Sequence, residues 1–403
     1  MQDSFDQTVS ATSPAALRHY DSAVDAFLHA WPGGFEALDA AIAEQPGFVL
    51  PHALKALMLH GRGCGSLARD AITQAQEFSR HALARERSLV ELITAMVEGR
   101  SPDALTLVIE HARKYPTDAL AASTALGAYG LFAFSGLANH DAARLAFTEA
   151  LAAHFPTDFP WLLAYRGWAR IEAGQVEAGL ALAQHAIRLR PENGHNAHIL
   201  MHGLFESAAP AEALAFVGEW LPTYPPAALM WGHLQWHAAL AEIELGHCDA
   251  AVARLLGPIT DYLPIGAPFM GLADITSLLW RLGLLGAGPL PWELAQEHAR
   301  RHFPHGSNVF GELHLAMLAA ARRDHDALAT CRSHLAIYAE RGHPAAPAAM
   351  LWVQALAALA NGDEAMAREA IDACLSEAIR LGGSHAQRSV VTLTRDVLRL
   401  PDL

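Results

Sequence analysis

Cysteine is scarce in this sequence, and its few copies are not arranged as a disulfide framework or a zinc-thiolate site. The four cysteines, Cys64, Cys248, Cys331 and Cys374, lie far apart, and none belongs to a CxxC pair. This distribution predicts reduced thiols. A basic and apolar leader is missing from the N-terminus, and no apolar run reaches the roughly 18 residues that span a membrane. We therefore expect a soluble cytoplasmic protein with no membrane partner.

Positive charge is also in short supply. The 403 residues include 28 lysines and arginines against 42 aspartates and glutamates, for a formal net charge of −14. A protein that binds nucleic acid needs a concentrated basic surface to neutralise phosphates. The charge balance therefore predicts that nucleic acid is not a partner.

β-Branched residues are sparse, whereas alanine and leucine dominate a chain that is 52% hydrophobic. This composition is typical of packed helices and not of sheets. Apolar residues recur at helical spacing, and glycine or proline separates most of the runs. The pattern predicts an all-α protein in which residues 1–12 are disordered and residues 13–403 form a single helical-repeat domain of about twenty antiparallel helices.

A repeat of about 34 residues is visible in the middle of the chain. Pro191 and Pro225 are 34 residues apart, and Gly167 and Gly179 stand where a tetratricopeptide repeat needs small residues for close helix packing. Upstream, two Pro-Thr-Asp phrases are 40 residues apart, so the period drifts. We predict a degenerate tetratricopeptide-repeat α-solenoid curled around a central groove or cavity, with histidine-bearing repeats at about 159–250 and C-terminal repeats and a cap at about 270–403.

Two local expectations concern single segments. Residues 119–134 are expected to form one helix. Residues 257–272, which include Pro258, Pro264 and Pro268, are expected to form a long non-helical connection that covers or lines a pocket, because long loops in compact domains are often functional.

Two pairs of histidines stand out within the repeat. His198 and His202 are four residues apart, as are His233 and His237, and the pairs are offset by 35 residues (233 − 198). Residues four apart share one face of a helix. The repeat therefore predicts four imidazoles on neighbouring helices.

This cluster has two chemical interpretations beside that of ordinary interior histidines. Imidazole pairs could bind one zinc or iron ion, and His314 could complete such a site with Glu206, Asp274 or Glu312 as the carboxylate. Alternatively, neutral histidines could act as bases and a protonated neighbour as an acid, with no metal.

Several phrases resemble the tetratricopeptide repeat protein 38 family. They occur in the family's order, and they are HILMH (198–202), HLQWH (233–237), SLLWRL (277–282), FGELH (310–314) and LGGSHAQR (381–388). The resemblance implies that the site includes His314, Gln387 and Arg388 besides the paired histidines. Gly127 stands where the family commonly has a histidine, and Gly311 and Glu312 replace an Asn-Asp pair.

The remaining candidates are substrate contacts. Arg281 or Arg388 would bind an anionic group through two hydrogen bonds, Trp236 would stack on a flat ligand, and Asp274 opens a helix where a substrate role competes with capping. Gly382, Gly383 and Ser384 are expected to end one helix and cap the next.

Together these features predict a small-molecule-binding protein, which is an enzyme if the histidines perform acid–base or metal-assisted chemistry. The catalytic candidates are His198, His202, His233, His237 and His314. The alternative is a scaffold whose concave groove binds a peptide or partner protein. We favour the small ligand because the inner positions carry few of the asparagines, lysines and arginines that a peptide groove uses.

Overall fold

The computed structural model of the chain describes residues 1–399, and it confirms the all-α class. Within that range no residue belongs to a strand, and the one β feature is an isolated bridge between Gln2 and Thr8. The helices follow one another through short turns and pack as consecutive pairs. This is the antiparallel pairing that the repeat pattern predicts.

The first eleven helices occupy the N-terminal half of the chain. They are α1 (Pro14–Leu28), α2 (Gly34–Glu44), α3 (Val49–Gly61), α4 (Gly65–Ser79), α5 (Ala84–Val97), α6 (Ser101–Lys114), α7 (Ala119–Ser123), α8 (His140–Ala152), α9 (Pro160–Glu172), α10 (Val176–Leu189) and α11 (Gly194–Glu206).

Eleven more helices follow, and short 3₁₀ turns lie between α7 and α8 at Ala133–Ser135, after α12 at Leu221–Thr223 and before α22 at Ala378–Leu381. They are α12 (Pro210–Trp220), α13 (Trp231–Glu244), α14 (Cys248–Arg254), α15 (Thr260–Tyr262), α16 (Pro268–Leu284), α17 (Trp292–His302), α18 (Val309–Ala321), α19 (His325–Glu340), α20 (Ala346–Ala360), α21 (Glu364–Leu375) and α22 (His385–Arg399).

The chain groups into two compact units, where we expected a single domain. The first unit contains Met1–Phe132, Asp141–Gly203 and Trp220–Trp231. The second contains Ala133–His140, Leu204–Glu219 and the described chain from Gly232 onwards. Each unit has its own set of packed helix pairs, and the second has a core built around α13 and α16.

Close packing within the pairs depends on small residues. In the first unit, a Cβ atom added at Gly167 would lie 2.8 Å from the carbonyl oxygen of Gly179, and one added at Gly179 would lie 2.6 Å from that of Gly167. Such distances are too short for a side chain, so α9 and α10 can approach this closely only with glycine at both positions. The expected role of these two glycines is therefore confirmed.

Two local expectations are wrong. Helix α7 ends at Ser123, because Gly127 and Gly136 adopt positive φ angles of 81° and 70° that an α-helix cannot contain. Residues 257–272 are mostly helical: a π-helical turn covers Leu255–Ile259, α15 follows, and Pro268 lies in the first turn of α16. Proline is well tolerated there because the first helical N–H groups need no partner inside the helix.

The N-terminal segment, for which we expected disorder, makes specific contacts in the structure. Val9 and Ala11 are buried, and the Asp3 carboxylate accepts a hydrogen bond from the Arg85 guanidinium at 3.3 Å. An apolar anchor and a buried ion pair fix a segment whose polar composition alone suggests disorder. Among the described residues, no helix is both long and apolar enough to cross a membrane.

Candidate functional site

The first histidine pair lies on α11, as the four-residue spacing predicts. The Nε2 atoms of His198 and His202 are 2.9 Å apart, so one ring donates a hydrogen bond to the other. Both side chains are buried. The Trp168 ring from α9 packs edge-on against His202, with ring centroids 4.5 Å apart. The pair is therefore enclosed beside Trp168, and its two Nε2 atoms face each other.

A buried cation also contacts Trp168. The Arg144 guanidinium on α8 lies 5.3 Å from the centroid of the Trp168 ring, and it forms an ion pair with Asp141 one turn earlier. Arg144 is fully buried. These contacts explain the placement of Trp168, which the sequence analysis did not single out.

The second pair lies on α13 and has a carboxylate partner. Asp274, on α16, accepts a hydrogen bond from Nδ1 of His233, with Oδ1 at 2.9 Å and Oδ2 at 3.0 Å. Since a carboxylate only accepts, Nδ1 carries a proton, and in the neutral ring the lone pair lies on Nε2. Asp274 therefore fixes both the tautomer and the orientation of His233.

The environment of Asp274 differs from what we expected of it. The residue does not open a helix: it lies in the middle of α16 and is buried. Burial raises the pKa of its carboxyl, and the neighbouring His233 opposes that shift. The Trp236 ring stacks on the His233 ring at 5.2 Å and 9°, and its Nε1 donates to Oγ of Ser277 at 3.2 Å. Trp236 thus fills the core beside the Asp274–His233 pair.

The four paired histidines form one group of potential metal ligands. One ring nitrogen of each can be chosen so that all four atoms lie within 4.8 Å of one another, and all four residues are buried. It is the one group of at least three such side chains found among residues 1–399. Helices α11 and α13 each supply one pair to this four-histidine group.

His314 is buried in the second unit but is not a member of the four-histidine group. Its Nδ1 donates to the carbonyl oxygen of Phe310 at 2.8 Å. Burial lowers the pKa of His314 to about 4, with a smaller contribution from the Arg281 charge and against the opposing effect of the hydrogen bond to Phe310. His314 is therefore neutral at physiological pH.

The predicted anion-binding residues are engaged by the backbone. The Arg281 guanidinium donates to the carbonyl oxygen of Ala386 at 2.8 Å and to Oγ of Ser389 at 3.2 Å, and burial lowers its pKa to about 9. Arg388 is buried and donates to the carbonyl oxygen of Gly383 at 2.7 Å. Both arginines thus tie the start of α22 to its surroundings.

Gln387 belongs to a helix cap. Its Oε1 accepts from the backbone N–H of Ser384 at 2.9 Å, and its own N–H donates to Oγ of Ser384 at 3.2 Å. This is a reciprocal capping box. Gly382 and Gly383 precede it with φ angles of 90° and 71°. As predicted, the two glycines follow the end of one helical element, here the 3₁₀ turn, and Ser384 caps the next helix, α22.

Position 127 contributes backbone and not a ligand. Gly127 has a left-handed backbone, and a Cβ atom there would lie 3.6 Å from Cε1 of Tyr165.

One residue that the sequence analysis missed lies one turn before His198 on the same helix. His195 faces Tyr165 at 6.2 Å between ring centroids, and burial lowers its pKa to about 4. The phrase His195-x-x-His198 could have revealed it, since i and i+3 share a helix face.

No protein-family profile matches the chain. The chain is similar to a solved structure of a monomeric IFIT1 mutant with Gppp-AAAA, at 15% identity and a TM-score of 0.38 over 88% of this chain and 79% of that one. It is similar to the human IFIT1 dimer with PPP-AAAA, at 14% identity and a TM-score of 0.38 over 98% and 87% of the two chains. A structure of Naa15/Naa10 bound to HypK-THB matches at 11% identity and a TM-score of 0.22 over 90% and 63%. None of these similarities assigns the chain to a family.

Proposed function

We propose that the protein binds one divalent transition-metal ion through the four-histidine group. The observation that carries this proposal is the hydrogen bond from Nδ1 of His233 to Asp274. Metal-binding histidines commonly donate their second ring nitrogen to a carboxylate, which orients the ring and leaves the other nitrogen for the ion. Such a buried carboxylate also offsets part of the positive charge of the ion.

The spacing of the nitrogen atoms fits an ion with small side-chain adjustments. Zinc bonds to imidazole nitrogen at about 2.0–2.1 Å in tetrahedral geometry, so its ligand atoms are about 3.3 Å apart. The observed limit of 4.8 Å and the 2.9 Å separation between His198 and His202 bracket that value. Binding would exchange the hydrogen bond between these two rings for two bonds to the ion.

The ligand chemistry restricts which ion is expected. Neutral imidazoles suit zinc, copper, nickel and iron, whereas magnesium and calcium require oxygen ligands. A buried site with four nitrogen ligands favours zinc, because zinc prefers tetrahedral coordination and is redox-inactive. We infer that zinc is the ion to test first.

The proposed chemistry of the site concerns a small molecule. The four-histidine group would hold the ion, which would supply Lewis-acid chemistry to a small ligand. His233, with its lone pair fixed on Nε2 by Asp274, is the residue best prepared to hold or accept a proton in the metal-free protein. Enzymatic activity on such a ligand is part of this proposal.

Several finer assignments stay predictions. They are membership of the tetratricopeptide repeat protein 38 family, a cytoplasmic location, a scaffold function, the absence of a nucleic-acid partner, and substrate contacts by Trp236, Arg281, Gln387 and Arg388. The backbone contacts of the two arginines favour a structural role over substrate binding.

The test is elemental analysis of the purified protein followed by zinc titration of the metal-free form. We expect one zinc per chain, and X-ray absorption should show nitrogen neighbours only. The variants His202→Ala and His237→Ala should each lose stoichiometric zinc. His325→Ala, at an exposed position on α19, is the matched control and should retain it. Zinc-independent thermal stability together with no bound ion would refute the proposal.

A further inference from the structure

A second candidate site lies in the second unit, in a cavity between α17, α18 and α19. Its volume is about 730 Å³, which is within the range of small-molecule sites. Its walls include the apolar side chains of Phe303, Leu315 and Leu318. None of the four paired histidines lines it, so the cavity is separate from the proposed metal site.

A buried carboxylate and a histidine form the polar end of this cavity. Oε1 of Glu312 accepts hydrogen bonds from the Ser307 backbone N–H at 2.6 Å and from Nδ1 of His334 at 3.1 Å. Glu312 is completely buried, and its Oε2 accepts no hydrogen bond from the described residues. Gly306, with a φ of 85°, lies against both side chains, and a Cβ atom there would collide with them. The dyad is therefore held in place by the backbone.

The dyad determines which atom faces a ligand. Because Nδ1 of His334 donates to a carboxylate, the lone pair of the neutral ring lies on Nε2. The His334 side chain is 30% exposed and lines the cavity, whereas Glu312 is 0% exposed. Nε2 has no hydrogen-bond partner among residues 1–399 and is not enclosed by them. It is thus a hydrogen-bond acceptor on a residue that lines a cavity with partly apolar walls.

The neighbouring thiol does not make this a cysteine-dependent catalytic site. Cys331 also lines the cavity, but burial and the Glu312 charge raise its pKa well above the ordinary thiol value. A thiol that stays protonated is a poor nucleophile. The site is therefore better suited to binding than to covalent chemistry.

The charged side chains that line the cavity select against an anionic ligand. Arg300 and Arg322 each form an ion pair with an acidic residue, Glu297 and Glu293 respectively, which leaves Asp324 as an additional negative charge. The buried Glu312 adds another. A neutral ligand escapes this repulsion, whereas a carboxylate does not.

We propose that this cavity binds a small uncharged molecule with an apolar body and one hydroxyl group that donates a hydrogen bond to Nε2 of His334. The Glu312–His334 pair would fix the acceptor, and the apolar walls would cover the body of the ligand. The side chains from Glu312 to Arg322 follow α18 for about 15 Å, at 1.5 Å per residue. This length accommodates an alkylphenol.

The proposal is tested by calorimetric titration of the full chain with 4-butylphenol. We expect 4-butylphenol to bind at a single site, and the methyl ether 4-butylanisole, which lacks the donor, to bind about tenfold more weakly. 4-Butylbenzoate should also bind more weakly than the phenol. Equal affinities for the phenol and its ether, preferential binding of the benzoate, or no binding of the phenol would each overturn the proposal.

Variants locate the binding. His334→Phe should reduce the affinity for 4-butylphenol about tenfold, because it removes the acceptor and retains a ring. Thr330→Trp, at an exposed position that lines the cavity, should abolish binding by filling the space without disturbing the core. His325→Phe, on the same helix but outside the cavity, should change nothing. Binding that survives Thr330→Trp would place the ligand elsewhere and overturn the proposal.

Discussion

The carboxylate of Asp274 accepts a hydrogen bond from Nδ1 of His233, 41 residues earlier in the chain, with both oxygens within 3.0 Å of that nitrogen. We therefore expect Asp274→Asn to lower zinc affinity by about 10- to 100-fold, the usual effect of removing such a partner. The asparagine amide can donate to Nδ1, which would move the ring proton to Nε2 and block the ligand atom. Competition titration with a zinc-binding dye measures the change.

The control for Asp274→Asn is Asp326→Asn, an equivalent change at an exposed position of α19. It should leave zinc affinity unaltered. A zinc affinity of Asp274→Asn equal to that of the wild type would show that the Asp274–His233 pair is a core contact with no role in metal binding.

The neutral state of His314 makes stability depend on pH. Its pKa in the folded protein is about 4, below the ordinary value of 6.5, so the unfolded chain binds one more proton between these values. The contribution of His314 is fully present above pH 6.5 and is lost as the pH falls toward 4, by about 3 kcal/mol in total. Urea unfolding in chelator at pH 7 and pH 5 measures it.

We expect His314→Gln to lose less stability than the wild type between those two pH values. His247→Gln, at an exposed position, should behave like the wild type. If His314→Gln and the wild type lose the same free energy of unfolding on acidification, His314 is not held neutral by its surroundings.

Arg281 is predicted to stabilise the fold more than to bind a ligand. Its guanidinium donates to the backbone of Ala386 and to Ser389, which lie at the start of α22. Arg281→Met keeps the length of the side chain but leaves these acceptors without their donor, so we expect a loss of about 2 kcal/mol in the free energy of unfolding. Zinc affinity should change little. Chemical denaturation measures the first effect, and a large loss of zinc affinity with unchanged stability would contradict this assignment.

Asp118 carries a buried charge network in the first unit. Its carboxylate accepts from Arg85 at 2.6 Å and from Nε2 of His111 at 3.2 Å, and although burial opposes the shift, these partners hold its pKa at about 2. The resulting stability is present above pH 3.8 and is lost as the pH falls toward 2. Asp118→Asn retains a side-chain oxygen that can cap α7, so it isolates the charge and should cost about 2 kcal/mol at pH 7.

Thermal and urea unfolding of Asp118→Asn test this expectation. Asp103→Asn removes an exposed carboxylate from the nearby Arg100 pair and should cost well under 1 kcal/mol. A cost for Asp118→Asn as small as that of Asp103→Asn would mean that the buried network contributes no net stability.

Local features of the fold were largely predictable. Helical spacing of apolar residues gave the class, and the pairs His198 and His202 on α11 and His233 and His237 on α13 share a helix face as their spacing requires. The expectations differed from the structure where they rested on local composition alone and the conformation depends on tertiary contacts. The proline-rich stretch around Pro268 became helical, and the polar N-terminal segment was fixed by Arg85, which lies 82 residues from Asp3.

The sequence by itself determined most of the helices, their pairing and the positions of the four paired histidines, because these depend on intervals of three, four and about 34 residues along one chain. Only the tertiary structure decided which buried polar side chains form hydrogen bonds with one another. In the folded chain, Asp274 accepts a hydrogen bond from His233, and Glu312 accepts one from His334 and not from His314. Arg281 donates a hydrogen bond to the backbone of α22. These contacts join helices that are distant in the sequence, and their geometry depends on how buried side chains pack, which no periodic pattern encodes.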